Sequence, residues 1–196
     1  RYLIGEAPEL KGYFVAAGFN SIGIQSAGGV GMAIGEWIIR GYPPPDLWEV
    51  NIKRTFPFQN ESRYLHDRVS ETLGMLYGMH WPYRQYTTSR DVLCSPLHKR
   101  LVTEGACFGE LAGWERANWF ADPRTKPKYE YSYGPQNWHH NQKKEHETTR
   151  ERVALYDQTS FAKFDVVGPD AECILERICA NSVGRDIGSI TYTPWL

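Results

Sequence analysis

Residues 13–41 read YFVAAGFNSIGIQSAGGVGMAIGEWIIRG, a short apolar run followed by a glycine-rich segment and an apolar pattern at helical spacing. The apolar run at 13–17 lies between two glycines and suits a buried strand. Beyond the glycines, apolar side chains recur every three or four residues and mark one helix face, namely Val30, Ala33, Ile34, Trp37 and Ile38. Gly41 and the three prolines at 43–45 predict the end of this helix. The segment therefore predicts a strand, a glycine loop and a helix in succession.

The glycine-rich part of this segment, residues 18–31, can bring its backbone close to a flat or charged ligand, because glycine carries no side chain. Its last residues open the helix, whose first amides lack intrahelical partners and carry partial positive charge. The spacing departs from the G-x-G-x-x-G dinucleotide fingerprint, because Ile34 stands where the third glycine is required. The residues alone leave two interpretations open, a ligand-contacting loop and a tight structural turn.

Four further helices are predicted after a linker-like passage, and they cover residues 61–80, 95–105, 141–152 and 168–178. The first has one apolar face, formed by Leu65, Val69, Leu73 and Leu76. The second has Ser95-Pro96 at its start and Gly105 after its end. The last is expected to turn its apolar side chains inward, at Ala171, Ile174, Leu175 and Ile178. Apolar or alternating runs predict strands at 153–156, 161–167 and 189–193.

Residues 106–138 are rich in glycine, proline and aromatic side chains, and they predict irregular structure held by large buried rings. Trp114 and Trp119 are expected to act as buried structural residues. The prediction for this stretch is packing rather than ligand contact.

Composition excludes several classes of function. With 41% hydrophobic and 23% charged residues the chain fits a globular domain, and its net charge of −1 provides no basic face for nucleic acid. No apolar run approaches the roughly 20 residues that span a bilayer, so we expect no membrane partner. The N-terminus shows no signal-peptide pattern, and its abrupt start indicates the interior of a longer sequence.

Cysteine and histidine usage predicts no metal site. The four cysteines form no C-x-x-C pair and are expected to be buried free thiols in a reducing compartment. His139, His140 and His146 lie near glutamates but lack the spacing of a ligand set. His66 and His80 are interpreted as surface or packed helical residues.

Four spaced blocks resemble one family, the FAD-dependent dimethylglycine and sarcosine dehydrogenases. Residues 8–31 resemble the last conserved block of glycine-oxidase-like FAD domains, and residues 47–50, 63–65 and 95–98 resemble the central domain. The segment 113–120 is similar to the family's inter-domain region. Residues 137–138 and 151–164, with 180–181 and 192–193, resemble the opening of the aminomethyltransferase (glycine-cleavage T-protein) fold.

The resemblance implies an α+β chain in three parts. Residues 1–45 would be the C-terminal remnant of the FAD-binding domain, 46–136 a central domain, and 137–196 the start of the T-protein-like folate domain. It implies that flavin-facing residues lie in the glycine loop, at Gly18, Phe19, Asn20, Ser21, Ile22 and Gly23. Asp157 and Tyr192 would lie near the pterin pocket, although a turn-capping role is the alternative for Asp157. The implied cofactors are FAD and tetrahydrofolate.

The resemblance implies oxidation of an N-methyl group of dimethylglycine or sarcosine by hydride transfer to flavin, with the one-carbon unit passed to tetrahydrofolate. An electron-transfer flavoprotein is an implied partner, and the implied location is the bacterial cytoplasm or the mitochondrial matrix. The sequence shows no nucleophile motif, so catalytic residues are not assigned. Two alternatives stay open: a non-catalytic homologue like the regulatory subunit of pyruvate dehydrogenase phosphatase, and a folate-binding module without redox activity. The 196-residue chain alone is expected to be inactive.

Overall fold

A hairpin and a long helix form the N-terminal part of the chain. The strand near 13–17 and the helix were predicted, but none of the residues of that strand is buried and its partner strand at Leu3–Glu6 was not predicted. The computed structural model describes residues 2–196. Strand β1 (Leu3–Glu6) pairs antiparallel with β2 (Phe14–Ala17), and helix α1 (Gly23–Arg40) follows. The helix ends at Gly41, whose left-handed backbone lets its N–H donate to the Trp37 carbonyl at 2.8 Å.

Trp37 joins α1 to the hairpin. Its side chain is only 2% exposed, and its ring meets the ring of Phe14 edge to face at 6.0 Å. Gly5 of β1 permits this packing, because a Cβ there would lie 2.5 Å from the Trp37 ring. On the same strand Ile4 is buried and its N–H donates to the Val50 carbonyl at 2.9 Å. The chain after the helix therefore returns to β1.

The middle of the chain contains two further helices and two short 3₁₀ turns. The turns span Ile52–Arg54 and Pro57–Asn60, within the passage interpreted as a linker. Helix α2 covers Ser62–Tyr77 and helix α3 covers His98–Thr103, so both predicted helices are confirmed. The face of α2 that packs differs from the apolar face in the sequence, whose four residues are exposed: Leu65, Val69, Leu73 and Leu76. Tyr64 and Arg68 are buried instead.

A second hairpin occupies the stretch for which the sequence predicted irregular structure. Strands β3 (Ala106–Leu111) and β4 (Trp114–Phe120) pair antiparallel, with a bulge at Cys107/Phe108. Leu111 pairs with Trp114, so the turn has two residues, Ala112 and Gly113, with φ of 52° and 84°. Positive φ at both positions is what a type I′ hairpin turn requires.

The core of this region is aromatic. Trp119 is 0% exposed and lies with Trp138 and Cys107 in one buried cluster, against which Tyr129 and Tyr131 pack. The buried structural role predicted for Trp119 is confirmed, whereas Trp114 is only partly buried. Helix α4 (His139–Glu151) then packs on β4, where its Glu145 carboxylate accepts the Phe120 N–H at 2.7 Å.

The chain divides into two compact units, the first ending at Leu155 and the second spanning Tyr156–Leu196. In the second unit, helix α5 (Ala171–Ile178) confirms the last predicted helix, but none of its residues is buried. The predicted strands at 153–156, 161–167 and 189–193 were wrong, since these segments are irregular and largely exposed. A strand needs a paired edge, and residues 2–196 provide none for these segments. The mixture of helices and strands confirms the α+β class.

Candidate functional site

The glycine loop forms a tight left-handed passage between β2 and α1. Gly18, Asn20 and Ser21 have φ of 75°, 42° and 72°. Between them the ring of Phe19 stacks on Tyr2, with centroids 4.9 Å apart. Asn20 and Ser21 carry side chains in a backbone region that disfavours them, and such strain is concentrated at ligand-contacting segments.

The N-terminus of α1 presents unpaired backbone amides. Ile22 is the N-cap and supplies no side-chain hydrogen bond, and the first turn contains no acidic residue. The first i→i−4 bond runs from the Ser26 N–H to the Ile22 carbonyl at 2.9 Å. The amides of Gly23 and of the two residues after it therefore lie before the helical hydrogen-bond pattern. An 18-residue helix with this end favours an electron-rich group in front of it.

This arrangement fits a flavin. Reduction of the isoalloxazine ring places negative charge at N1 and the C2 carbonyl, and a helix N-terminus stabilises charge of that sign. The positions of Gly18, Phe19, Asn20, Ser21, Ile22 and Gly23 at one loop and helix end agree with the predicted flavin-facing role, which remains a prediction.

Tyr77, the last residue of α2, contacts the same loop. Its hydroxyl donates to Ser21 Oγ at 3.0 Å. The two residues are 56 positions apart, and no local pattern signals the contact, so sequence reasoning missed it. The end of α2 therefore supports the glycine loop.

A cleft of about 940 Å³ lies elsewhere in the first unit, between residues 78–102, the β3–β4 hairpin and residues 127–131. Its walls combine aromatic and cationic side chains: Trp81, Tyr86, Tyr129, Tyr131, Arg84 and Lys128. The sequence analysis did not identify this cleft, because its three segments are distant along the chain.

Two ion pairs connect the hairpin to neighbouring segments, and the first of them lies in the wall of the cleft. Arg90 donates from Nε to Glu115 Oε1 at 2.7 Å, and its Nη2 donates to the other carboxylate oxygen. Arg90 also donates to the carbonyls of Tyr86 and Phe108, both at 3.1 Å. Burial opposes ionisation of Glu115. Hydrogen bonds from Arg90 and from the Asp91 amide nevertheless hold the pKa of the Glu115 carboxyl below the usual range. The bonds to Glu115 raise the pKa of Arg90 in turn.

The second pair anchors α2 to the hairpin. Arg68 donates to Glu110 at 2.7 Å and to the Thr88 carbonyl at 2.8 Å, and its guanidinium lies over the Tyr86 ring. One turn further on, the carboxylate of Glu71 accepts four hydrogen bonds from the amides and hydroxyls of the two threonines at 87 and 88. Burial opposes ionisation of the Glu71 carboxyl, but these four hydrogen bonds outweigh burial and lower its pKa.

The two residues assigned to a folate site lie in the second unit. Asp157 Oδ1 accepts the Thr159 N–H at 3.0 Å and its hydroxyl at 2.6 Å, the geometry of the turn-capping alternative. Tyr192 is 95% exposed, and its carbonyl accepts a hydrogen bond from Asn181 Nδ2 at 2.8 Å. A role of either residue near a pterin remains a prediction.

The cysteine prediction is confirmed only in part. All four are free thiols, but only Cys107 is buried, while Cys94 and Cys173 are exposed. Burial raises the pKa of the Cys107 thiol to about 11. Among residues 2–196, no helix is long and apolar enough to cross a membrane.

Two family profiles match the chain side by side. The FAD dependent oxidoreductase central domain matches residues 40–95, and the GCVT N-terminal domain matches residues 97–196, about half of the chain. The divisions predicted after residues 45 and 136 remain predictions.

Curated relatives align over nearly the whole chain. It is 46% identical over 195 residues to 4-methylaminobutanoate oxidase (formaldehyde-forming) of Paenarthrobacter nicotinovorans, covering 100% of the chain and 24% of that protein. It is 32% identical over 219 residues to the mitochondrial sarcosine dehydrogenase of Homo sapiens, covering 99% of the chain and 24% of that protein. It is 32% identical over 200 residues to the mitochondrial pyruvate dehydrogenase phosphatase regulatory subunit of Mus musculus, covering 99% of the chain and 23% of that protein. The chain therefore spans about a quarter of the length of these relatives.

These matches, with the α+β fold, define a class of proteins that join an FAD dependent oxidoreductase central domain to a GCVT N-terminal domain. Within this class, the chain belongs to the family that contains the sarcosine and dimethylglycine dehydrogenases.

Proposed function

We propose that this chain is part of an FAD-dependent enzyme that oxidatively demethylates an N-methylated amino acid. The observation that carries the proposal is the glycine loop with the open N-terminus of α1, which fits a reduced flavin. The family relationship supports it, because relatives are named as oxidases or dehydrogenases of methylated amines.

In this proposal, FAD supplies the hydride acceptor. The loop from Gly18 to Gly23 would hold the flavin, and the amides that open α1 would stabilise negative charge on its reduced ring. The contact between Tyr77 and Ser21 keeps the loop in this shape. In this proposal these residues would position the flavin and stabilise its negative charge, and no covalent nucleophile is required.

The substrate class follows from what the relatives share. Sarcosine, dimethylglycine and 4-methylaminobutanoate, which appear in their names, are carboxylates with an N-methyl amine. We propose that the one-carbon unit is transferred to tetrahydrofolate, because the second profile belongs to the aminomethyltransferase type. Release as formaldehyde is the other outcome, and one relative's name specifies it. An electron-transfer flavoprotein is the proposed electron acceptor, and the bacterial cytoplasm or mitochondrial matrix the proposed location.

The test uses the full-length protein that carries this chain. Under anaerobic conditions, each of the three amines is added, and bleaching of the flavin band at ~450 nm is recorded. Bleaching by at least one amine is expected, and formaldehyde release should fall when tetrahydrofolate is present. A flavin that none of the amines reduces would refute the proposed oxidation.

A charge placed at the start of α1 tests the role of the glycine loop. Gly23→Asp places a carboxylate at the helix N-terminus, where it opposes negative charge on the flavin. A cost of about 1.4 kcal/mol, within the range of helix-end effects, slows flavin reduction about tenfold. Gly31→Asp is the matched control, because a Cβ at Gly31 meets nothing within 4 Å and it lies two turns away. Equal reduction rates in the two variants would contradict flavin contact at this loop.

A regulatory role is the second candidate, supported by the 32% identity to a phosphatase regulatory subunit. It predicts that no amine reduces the protein and that a partner phosphatase changes activity on addition of the full-length protein. The amine panel therefore separates the two candidates.

A further inference from the structure

Three side chains with metal-ligand chemistry lie together on the segment that leads into α3. Asp91, Cys94 and His98 each offer one ligand atom, and the three atoms lie within 4.8 Å of one another. A carboxylate, a thiolate and an imidazole are ligand types that zinc binds in proteins. We propose that these three residues form a binding site for Zn²⁺, with water in the fourth position.

The distances are near those of a bound site. Zinc bonds of roughly 2.0–2.3 Å in tetrahedral geometry separate ligand atoms by roughly 3.3–3.7 Å. Asp91 Oδ1 and His98 Nε2 are 3.8 Å apart, which is close to that range. Asp91 and Cys94 are exposed, so their side chains can change rotamer without displacing packed neighbours. A movement of about 1 Å completes the set, and side-chain rotation supplies it.

The backbone that carries the ligands is already fixed. Leu93 bonds to the turn side of the hairpin through both its N–H and its carbonyl, at 3.0 and 2.8 Å. The Asp91 N–H donates to Glu115 at 2.9 Å, and the His98 ring packs on Phe108 with centroids 4.4 Å apart. Binding of a metal therefore orders only side chains, which lowers its entropic cost.

The charge of Asp91 and the position of the His98 ring favour a cation here. Glu115 is paired with Arg90, so the Asp91 carboxylate is the anion that faces the site. His98 Nδ1 is buried and has no hydrogen-bond partner among the described residues. The other ring nitrogen, Nε2, lies 3.8 Å from Asp91 Oδ1, so both ligand atoms border the same space.

The site spans the junction of the two family profiles. Asp91 and Cys94 fall within the stretch 40–95 that matches the central domain, and His98 falls within 97–196. A bound ion would clamp the end of one module to the start of the next. Its effect is therefore on stability at this junction, independent of the proposed amine oxidation.

The test measures metal binding by the protein that carries the whole chain, freed of metal with a chelator. Zn²⁺ is titrated by calorimetry, and Co²⁺ is added in parallel to detect a thiolate-to-cobalt charge-transfer band. Loss of second-shell partners costs roughly 10–100-fold in affinity, so Cys94→Ser should lose at least about 100-fold. The charge-transfer band should disappear in the same variant.

Cys173→Ser is the matched control, because this thiol is also exposed and free but lies in the second unit. It should bind both metals as the wild type does. Asp91→Asn tests the site without altering the thiol and should weaken Zn²⁺ binding while the cobalt band persists at higher concentration. Wild-type protein that binds no more Zn²⁺ than Cys94→Ser, with both folded by circular dichroism, overturns the proposal.

Discussion

Replacing Arg90 with methionine should be among the most damaging single changes in the first unit. The substitution removes both hydrogen bonds to Glu115 and those to the Tyr86 and Phe108 carbonyls. The Glu115 side chain is 1% exposed and would remain buried with the Asp91 amide as its remaining hydrogen-bond donor among the described residues. Removing one partner of a buried pair costs about 3–5 kcal/mol, most of it from the charge left behind.

The pH dependence follows from the direction of the shifts. The folded-state pKa of Glu115 lies below its unfolded value, so the pair's contribution is present above the unfolded pKa of about 4.3. It is lost as pH falls through the lower, folded pKa. Without Arg90, burial raises the pKa of Glu115 instead. Protonation then removes the buried charge, and the variant loses less stability in acid. The difference between wild type and Arg90→Met should therefore be largest at neutral pH and shrink below about pH 4.

Urea denaturation followed by far-ultraviolet circular dichroism measures this difference at each pH. Arg124→Met is the matched control, because its guanidinium is 84% exposed and pairs with Asp122 at 3.3 Å on the surface. Exposed pairs contribute about 0–1 kcal/mol, so the control should unfold close to the wild type. If Arg90→Met loses less than about 1 kcal/mol at neutral pH, the buried-pair argument is refuted.

Three further outcomes are expected. Gly5→Ala should destabilise the chain by about 2–6 kcal/mol in urea, since φ of +118° and the Trp37 ring both oppose a Cβ; a smaller loss would mean that the ring yields. In alkylation at pH 8, Cys107, with a pKa of about 11, should react at least about 100-fold more slowly than exposed Cys173; similar rates would contradict its burial. Glu71→Gln should destabilise at neutral pH and converge with the wild type in acid, because the stability linked to the lowered pKa of Glu71 is complete above its unfolded pKa and is lost as pH falls through the folded pKa; an offset that stays constant with pH would exclude this cause.

Local sequence signals were sufficient to predict an element when its first residues, its apolar face and its last residues are all marked within one short segment. Helix α1 is such a case, because its apolar spacing and Gly41 lie within one short segment. The β3–β4 hairpin was missed because Ala112 occupies a left-handed turn position where asparagine, aspartate or glycine is the usual signal. The three predicted strands that do not form have strand-like composition, but pairing depends on a distant edge that composition does not reveal.

In the candidate site, too, local features could be predicted from the sequence and contacts between distant residues could not. The glycine loop was visible in the sequence, and family resemblance gave it a role. The contact between Tyr77 and Ser21, the pair of Arg90 and Glu115, and the grouping of Asp91 with His98 depend on tertiary structure. The spacing of Asp91, Cys94 and His98 is a weak signal, since many chains without a metal carry such residue types three and four positions apart.

The aromatic cluster of the first unit has an optical consequence. Trp119 and Trp138 lie with ring centroids 6.5 Å apart, and Tyr129 meets Trp138 at 4.9 Å. Rings held this close in a fixed, asymmetric arrangement couple electronically and give a near-ultraviolet circular dichroism signal, and Trp119 emits at short wavelength because water does not reach it. Trp195 in the second unit is 63% exposed and emits as a hydrated indole. The near-ultraviolet circular dichroism of this cluster therefore reports the packing of the first unit without a label, whereas emission from exposed indole is shared by Trp195 and by Trp48 of the first unit, which is 72% exposed.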